Sequence, residues 1–200
     1  MTRAAGKREQ NKEGNRAALI EAARRCFVEL GYDAVTVRDI VRGTELASGT
    51  FYNYFPDKEA LFRELLKDSI DDINGRMHEI RKRARSIPDF VRGTYAVLFH
   101  KVRDDPEFFA LILRSEHAAR ALFKDTVLGL PIRSVKSDIR DAVKRGLFPE
   151  VDADLLAASF YGIGFEIGRL LLDKPRLDPD AAAEFACRLL TEGLRGYRQG

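Results

Sequence analysis

Histidine and cysteine are scarce in this chain, and that scarcity narrows its chemistry. Among 200 residues there are three histidines and two cysteines. His78, His100 and His117 form no His-x-x-x-His arrangement, and neither cysteine has a recognisable catalytic setting. No enzyme, metal site or cofactor is expected. Cys26 and Cys187 each fall inside a helical apolar pattern and read as buried, reduced thiols of a cytoplasmic protein. No apolar run approaches the roughly 18–20 residues of a membrane span, so no membrane partner is expected. The N-terminus is polar and basic and lacks the apolar middle of a secretion signal. Clean alternation of apolar and polar residues, the mark of a half-buried strand, is missing too. Nor is charge of one sign in excess. With 34 basic and 31 acidic side chains, the balance neither demands nor excludes nucleic acid.

What the chain does have is helical periodicity. Apolar residues recur at three- and four-residue spacing, and the seven prolines fall where such patterns start, stop or bend. Asp105-Pro106-Glu107 and Asp178-Pro179-Asp180 each read as an N-cap, a proline at the first helical position, then an acid near the positive end of the helix dipole. Gly31 and Gly146 follow periodic segments and suit helix C-termini. The spacing predicts an all-α protein of about nine helices. They run over about 16–30, 37–43, 48–55, 58–85, 88–102, 106–117, 121–145 with a break at 129–131, 153–172 and 179–197. Residues 1–14, carrying Arg3, Lys7, Arg8 and Lys12, are expected as a flexible basic arm that either follows phosphates or only solubilises. A small head over 15–60 and a larger bundle over 61–200 follow, joined by the long amphipathic helix of Phe62, Leu66, Ile70, Ile73, Met77 and Ile80. Arg76, Arg81, Lys82, Arg83 and Arg85 at its end read as a solvated face.

Residues 36–58, TVRDIVRGTELASGTFYNYFPDK, carry the strongest signal. Thr36 with Asp39 three residues on resembles a capping box, and Val37, Ile40 and Val41 give the first helix its buried side. After Gly43 a four-residue turn leads to a second short helix. Two helices joined by a tight turn form the unit that lays its second helix in the DNA major groove. Phe51 and Phe55 are expected to pack inward. That leaves Ser48, Thr50, Tyr52, Asn53 and Tyr54 outside, hydrogen-bonding groups without negative charge. No acid occurs from Leu46 to Pro56, so nothing there repels phosphate. Gly49 permits close approach of a sugar-phosphate strand, and Lys58 offers a flexible point charge.

Thr36-Val37-Arg38-Asp39-Ile40 and Ser48-Gly49-Thr50-Phe51-Tyr52-Asn53-Tyr54-Phe55-Pro56-Asp57-Lys58-Glu59 resemble the signature of the tetracycline-repressor-like (TetR/AcrR) family. Ala22-Ala23-x-x-x-Phe27-x-x-x-Gly31-Tyr32 is similar to the family's first helix. The resemblance covers about residues 16–62. It implies a three-helix helix-turn-helix head on a ligand-binding and dimerisation bundle, acting as a homodimer on palindromic operator DNA and released by a small molecule. By that resemblance Thr36, Thr50, Tyr52, Tyr54 and Lys58 match phosphate-touching positions. Arg38, Ser48, Gly49 and Asn53 lie where base edges or adjacent backbone are reached. Thr44-Glu45-Leu46-Ala47 departs from the family's usual Ala-Gly-Val-Ser turn.

For the bundle, expectations are broader. Polar groups among many phenylalanines mark a candidate cavity for a mainly hydrophobic effector: Tyr95, His100, Arg114, His117 and Tyr161, with Phe99, Phe109 and Phe165. The helix over 153–172 is apolar nearly all round. Small residues at four-residue spacing, Ala158/Gly162 and Gly164/Gly168, with Leu189 and Leu190 on the next helix, are expected at a dimer interface. Control by a protein partner, and an all-helical enzyme, are the competing readings.

Overall fold

The computed structural model of the chain describes residues 2–115, 118, 126–127 and 130–196. The elements are α1 (Thr2–Leu30), α2 (Val37–Arg42), a 3-10 helix (Ser48–Asn53), α3 (Lys58–Arg83), α4 (Ile87–Asp104) and α5 (Pro106–Arg114). A two-residue strand pair follows, Thr126–Val127 with Leu130–Pro131, then α6 (Ile132–Lys144), α7 (Ala153–Asp173) and α8 (Pro179–Gly196). The all-helical architecture is the expected one. The antiparallel pair is not, and it replaces part of the helix predicted from 121.

Local chemistry fixes most boundaries. Asp57, Ser86, Asp105 and Asp152 each accept a backbone N–H at the start of a helix, satisfying donors that have no intrahelical partner. At the other end, Gly31 (φ +79°) and Gly146 (φ +69°) adopt the left-handed conformation anticipated for them. The start of α1 differs from expectation. The segment expected as an arm over 1–14 is helical from Thr2. Its Ala, Arg, Lys, Glu and Gln are good helix formers, and Gly6 and Gly14 weaken a helix by only about 1 kcal/mol each without stopping it.

The head and the bundle share one continuous core. Leu19, Ala22, Ala23 and Phe27 of α1 bury against Ile40, Val41, Phe51 and Phe55, and against Leu61, Phe62 and Leu66 of α3. Phe27 and Phe62 meet edge to face with ring centroids 5.1 Å apart, an arrangement that adds to simple burial. Further along, α3 turns Ile70, Ile73 and Met77 into the bundle. There α4 is the central helix, packed on α3, α7 and α8. Tyr95 stacks between Phe99 and Phe160, with centroids 5.4 and 5.5 Å away, and its hydroxyl donates to the Phe160 carbonyl at 3.1 Å.

Two expectations about α7 need correction. By length and composition α7 is long and apolar enough to cross a membrane, a test that the core helix of a bundle also passes, because its few charges, such as Glu166 and Arg169, interrupt the apolar run without lowering its mean hydropathy much. And Gly164 and Gly168, expected at a dimer interface, face this chain's own bundle. A Cβ on Gly164 would lie 3.0 Å from Leu98 Cδ2, and one on Gly168 would lie 2.6 Å from Phe109 Cζ. The small residues let α4 and α5 approach α7. Only Ala158 and Gly162 of that set are exposed.

Candidate nucleic-acid interface and bundle cavity

The head is organised by a capping box and a turn. Thr36 Oγ1 accepts from the Asp39 N–H at 3.2 Å, and Asp39 Oδ2 accepts from the Thr36 N–H at 2.9 Å. The Asp39 carboxyl is held below its usual range, first by the side-chain hydrogen bond from Thr36 and then by the backbone one. Gly43 then leads into a turn tied by Thr44. The Thr44 hydroxyl donates to the Val41 carbonyl at 2.8 Å and accepts from the Leu46 N–H at 3.2 Å. Thr44, a departure from the family's usual turn residue, thus ties the turn together.

The second element is shorter and tighter than the helix expected over 48–55. Its 3-10 helix ends at Asn53 and has Ala47 at its N-cap without a side-chain cap. Gly49 and Thr50 are weak helix formers, and Pro56 disfavours helical backbone at Phe55. Phe51 and Phe55 are buried, as expected. Outside stand Gly49, Asn53 and Tyr52, the last 62% exposed, with Arg38 and Thr36 exposed on the neighbouring element. Thr50 and Tyr54 are half-buried, and the Tyr54 hydroxyl accepts from Asn15 Nδ2 at 3.2 Å. The Ser48 side chain lies outside the described residues.

Lys58 also departs from expectation. Its ammonium donates to the carbonyls of Tyr32 and Val35, both at 2.7 Å, and lies 4.1 Å from the centre of the Tyr32 ring. Partial burial draws its pKa below the ordinary lysine value. In this structure it is a clamp on the loop that carries Thr36, not a free point charge.

In the bundle, a cavity of ≈ 30 Å³ lies between α3, α4, α5, α6 and α7, room for ordered water but for little more. Tyr95, Phe109, Tyr161 and Phe165 line it as expected, and sequence reasoning missed Asn74, Met77, Arg81, Thr94, Leu98, Val135, Phe160 and Gly164. Burial pushes the Tyr95 and Tyr161 phenols well above their ordinary range. Other expected lining residues stand elsewhere. Phe99 is buried against Tyr95 but does not line the cavity. His100 faces α8, with Nε2 2.9 Å from Asp180 Oδ1. Arg114 donates to the Glu29 carbonyl of α1 at 2.6 Å. His117 lies outside the described residues.

Arg81, expected with the solvated cluster at the end of α3, is the largest correction. It is 1% exposed. Its Nε donates to Asp138 Oδ2 at 2.7 Å and its Nη2 to Ser134 Oγ at 3.2 Å. His78 Nδ1 lies 2.8 Å from the other Asp138 oxygen. Burial lowers the Arg81 pKa, and Asp138 opposes that shift. On its other side Arg81 borders a polar cleft of ≈ 520 Å³ shared with His78, Lys82, Asp138, Asp141, Lys144 and Arg145. The available signal was register, since Arg81 is one helical turn past Met77 on the buried stripe.

Residues 19–65 match the sequence profile of bacterial regulatory proteins of the tetR family. The chain is TetR-like. The HTH-type transcriptional repressor KstR2 of Rhodococcus jostii is 39% identical over 69 residues, 34% of each chain. The repressor of the same name from Mycobacterium tuberculosis is 27% identical over 185 residues, 92% of this chain and 82% of that one. Thus the chain spans about a third of the first of these relatives and most of the second. Among solved structures, FadR from Bacillus subtilis in complex with stearoyl-CoA superposes with a TM-score of 0.70. It is 20% identical, over 87% of this chain and 96% of that one. That likeness extends the TetR-like fold from the head to the bundle.

Proposed function

We propose that the TetR-like chain is a dimeric, DNA-binding transcriptional repressor whose hold on a palindromic operator is loosened by a small, mainly apolar effector. The observation that carries this is the acid-free surface of residues 46–56. It presents Gly49, Tyr52 and Asn53 beside exposed Thr36 and Arg38, on two short helices joined by a Thr44-tied turn. Tyr52 and Thr36 contact phosphates in this reading, while Arg38, Gly49 and Asn53 approach base edges. Thr50 and Tyr54 supply further phosphate or backbone contacts, and Lys58 holds the Thr36 loop in place.

Dimerisation would use α7 and α8. Among the described residues, four of the six exposed large apolar side chains are on these two helices: Leu155 (71%), Leu170, Phe185 (63%) and Leu189. Ala158 and Gly162 stand exposed among them on α7, while Leu190 packs toward the core. A self-complementary apolar surface of this kind suits a two-fold pair. It would hold two heads about 34–36 Å apart, one turn of DNA.

Control would pass through α5. Phe109 of α5 lines the cavity, and the end of the same helix grips the head. The Arg114 side chain donates to the Glu29 carbonyl, and Ser115 Oγ accepts the Tyr32 N–H at 3.3 Å. A cavity of ≈ 30 Å³ is far below the roughly 300–1,000 Å³ of a small-molecule site. An effector therefore enters only by displacing lining side chains, and displacing Phe109 moves the helix that holds α1. An effector favouring the displaced state weakens DNA binding by its differential affinity for the two states. The stearoyl-CoA of the FadR complex supports an apolar effector by analogy of fold.

The test is binding of the purified protein to its own upstream DNA across a salt series. A specific two-protomer complex that weakens steeply with salt is expected. Tyr52→Ala is expected to weaken it about tenfold. Equal affinity for that DNA and random DNA, followed by failure of a genome-wide selection for bound fragments, would overturn the reading.

A further inference from the structure

One hydrogen-bonding group of Arg81 has no partner among the described residues. Among the described residues its Nη1 is the one buried side-chain nitrogen or oxygen without a partner. The rest of the guanidinium is committed, Nε to Asp138 and Nη2 to Ser134. A buried, unmatched donor is a standing destabilisation, and a positively charged one more so. Arg81 also lines the bundle cavity, with apolar Met77, Leu98, Phe109 and Phe160 and with the polar side chains of Asn74, Thr94 and the two tyrosines. An apolar cavity bordered by one charged donor in search of an acceptor is selective in a way that an apolar cavity alone is not.

The acceptor's chemistry follows from what surrounds that donor. Asp138 already balances the Arg81 charge, and the other basic group on Asp138, His78, is half-exposed on its far oxygen. A ligand carboxylate at Nη1 would put a second anion against one guanidinium, the one buried cation among the described residues. A ligand hydroxyl would bring an O–H in need of its own acceptor. The Phe160 and Phe90 carbonyls already accept from the Tyr95 and Thr94 hydroxyls, so an added O–H would have to reorient Asn74 or Tyr161 to be satisfied. A carbonyl oxygen brings neither a charge nor a donor.

We infer that the effector presents a neutral carbonyl oxygen, as in a ketone, ester or thioester, to Arg81 Nη1 on an otherwise apolar skeleton. This rests on the effector reading given above and narrows it to a ligand class. Arg81 then acts as the specificity-determining residue of the cavity.

The test uses three head groups of nearly equal shape, acetyl, isopropyl and carboxylate, each on phenyl and on 4-butylphenyl. Calorimetric titration of the full-length protein at pH 7 measures all six. The acetyl compound of at least one pair is expected to bind about tenfold to a hundredfold tighter than its isopropyl twin, the worth of a hydrogen bond to a charged donor. It should also exceed the carboxylate by at least about tenfold. In the double variant Arg81→Met with Asp138→Leu, which replaces a buried pair by apolar side chains, the acetyl preference should vanish while the isopropyl compound still binds. Equal binding of acetyl and isopropyl compounds, tightest binding by a carboxylate, binding by none of the six, or an acetyl preference that survives in the double variant each overturns the proposal. The wild-type comparison decides alone if that variant does not fold. DNA binding measured on the same preparation keeps the outcomes separate. A protein that binds specific DNA yet ignores the carbonyl refutes only the ligand class, whereas one that binds no specific DNA refutes the regulator reading itself.

Discussion

The head and the bundle separate function from stability in opposite ways. In the head, the core of Phe27, Phe51, Phe55 and Phe62 is sealed, and the residues proposed to meet DNA stand outside it. In the bundle, most of the residues that line the cavity belong to the core. Met77, Arg81, Tyr95, Leu98, Phe109 and Phe160 are all buried, so a change made to alter binding also alters packing. A DNA surface can therefore vary at little cost to the fold, while a ligand cavity varies only with compensation around it.

That contrast can be tested from its strongest consequence downward. Arg81→Ala leaves Asp138 buried without its guanidinium and is expected to lose about 3–5 kcal/mol of stability, read by urea denaturation. The Arg81→Met, Asp138→Leu pair should recover most of that loss. Gly168→Ala, which drives a methyl into the Phe109 ring, is expected to cost about 1–3 kcal/mol by overpacking, read as a lowered Tm. Tyr52→Ala in the head should stay within about 0.5 kcal/mol of wild type in the same denaturation assay, although it weakens operator binding. A loss of several kcal/mol at Tyr52 would erase the contrast. The smallest effect is expected on acidification. Hydrogen bonds that cap α2 and α7 hold Asp39 and Asp152 below the ordinary carboxylate value of 3.8. Their contribution is fully present above that value and is lost as pH falls through the lower folded-state pKa. Asp152→Asn should flatten the fall in the urea midpoint between pH 5 and 2.

The same contrast explains what could be read from the sequence. The head was legible because its rules are local. A threonine three residues before an aspartate is a cap, and two phenylalanines four apart on a short helix face the core. In the bundle, identical residue types serve opposite ends. Gly162 is exposed and Gly164 is buried two residues later, and only the position of Leu98 on another helix distinguishes them. Arg81 read as solvated because arginines at a helix C-terminus usually are. Its burial depends on Asp138, 57 residues away. Lys58 failed for the same reason, since the carbonyls of Tyr32 and Val35 that hold it belong to a loop whose path no local rule describes. The 3-10 winding of 48–53 was missed because the periodicity of a six-residue element cannot distinguish it from an α-helix.

One helix, α7, supplies both the cavity wall and the proposed contact between protomers. Phe160, Gly164 and Phe165 look inward, and Leu155, Ala158 and Gly162 look outward, with no second layer between them. Such an arrangement makes ligand and partner two inputs to a single equilibrium. If an occupied cavity changes the affinity of the protomers for each other by some factor, assembly must change the affinity for ligand by that same factor. The dose of effector needed for release would then depend on how much of the protein the cell makes, and expression level would set the threshold of the switch.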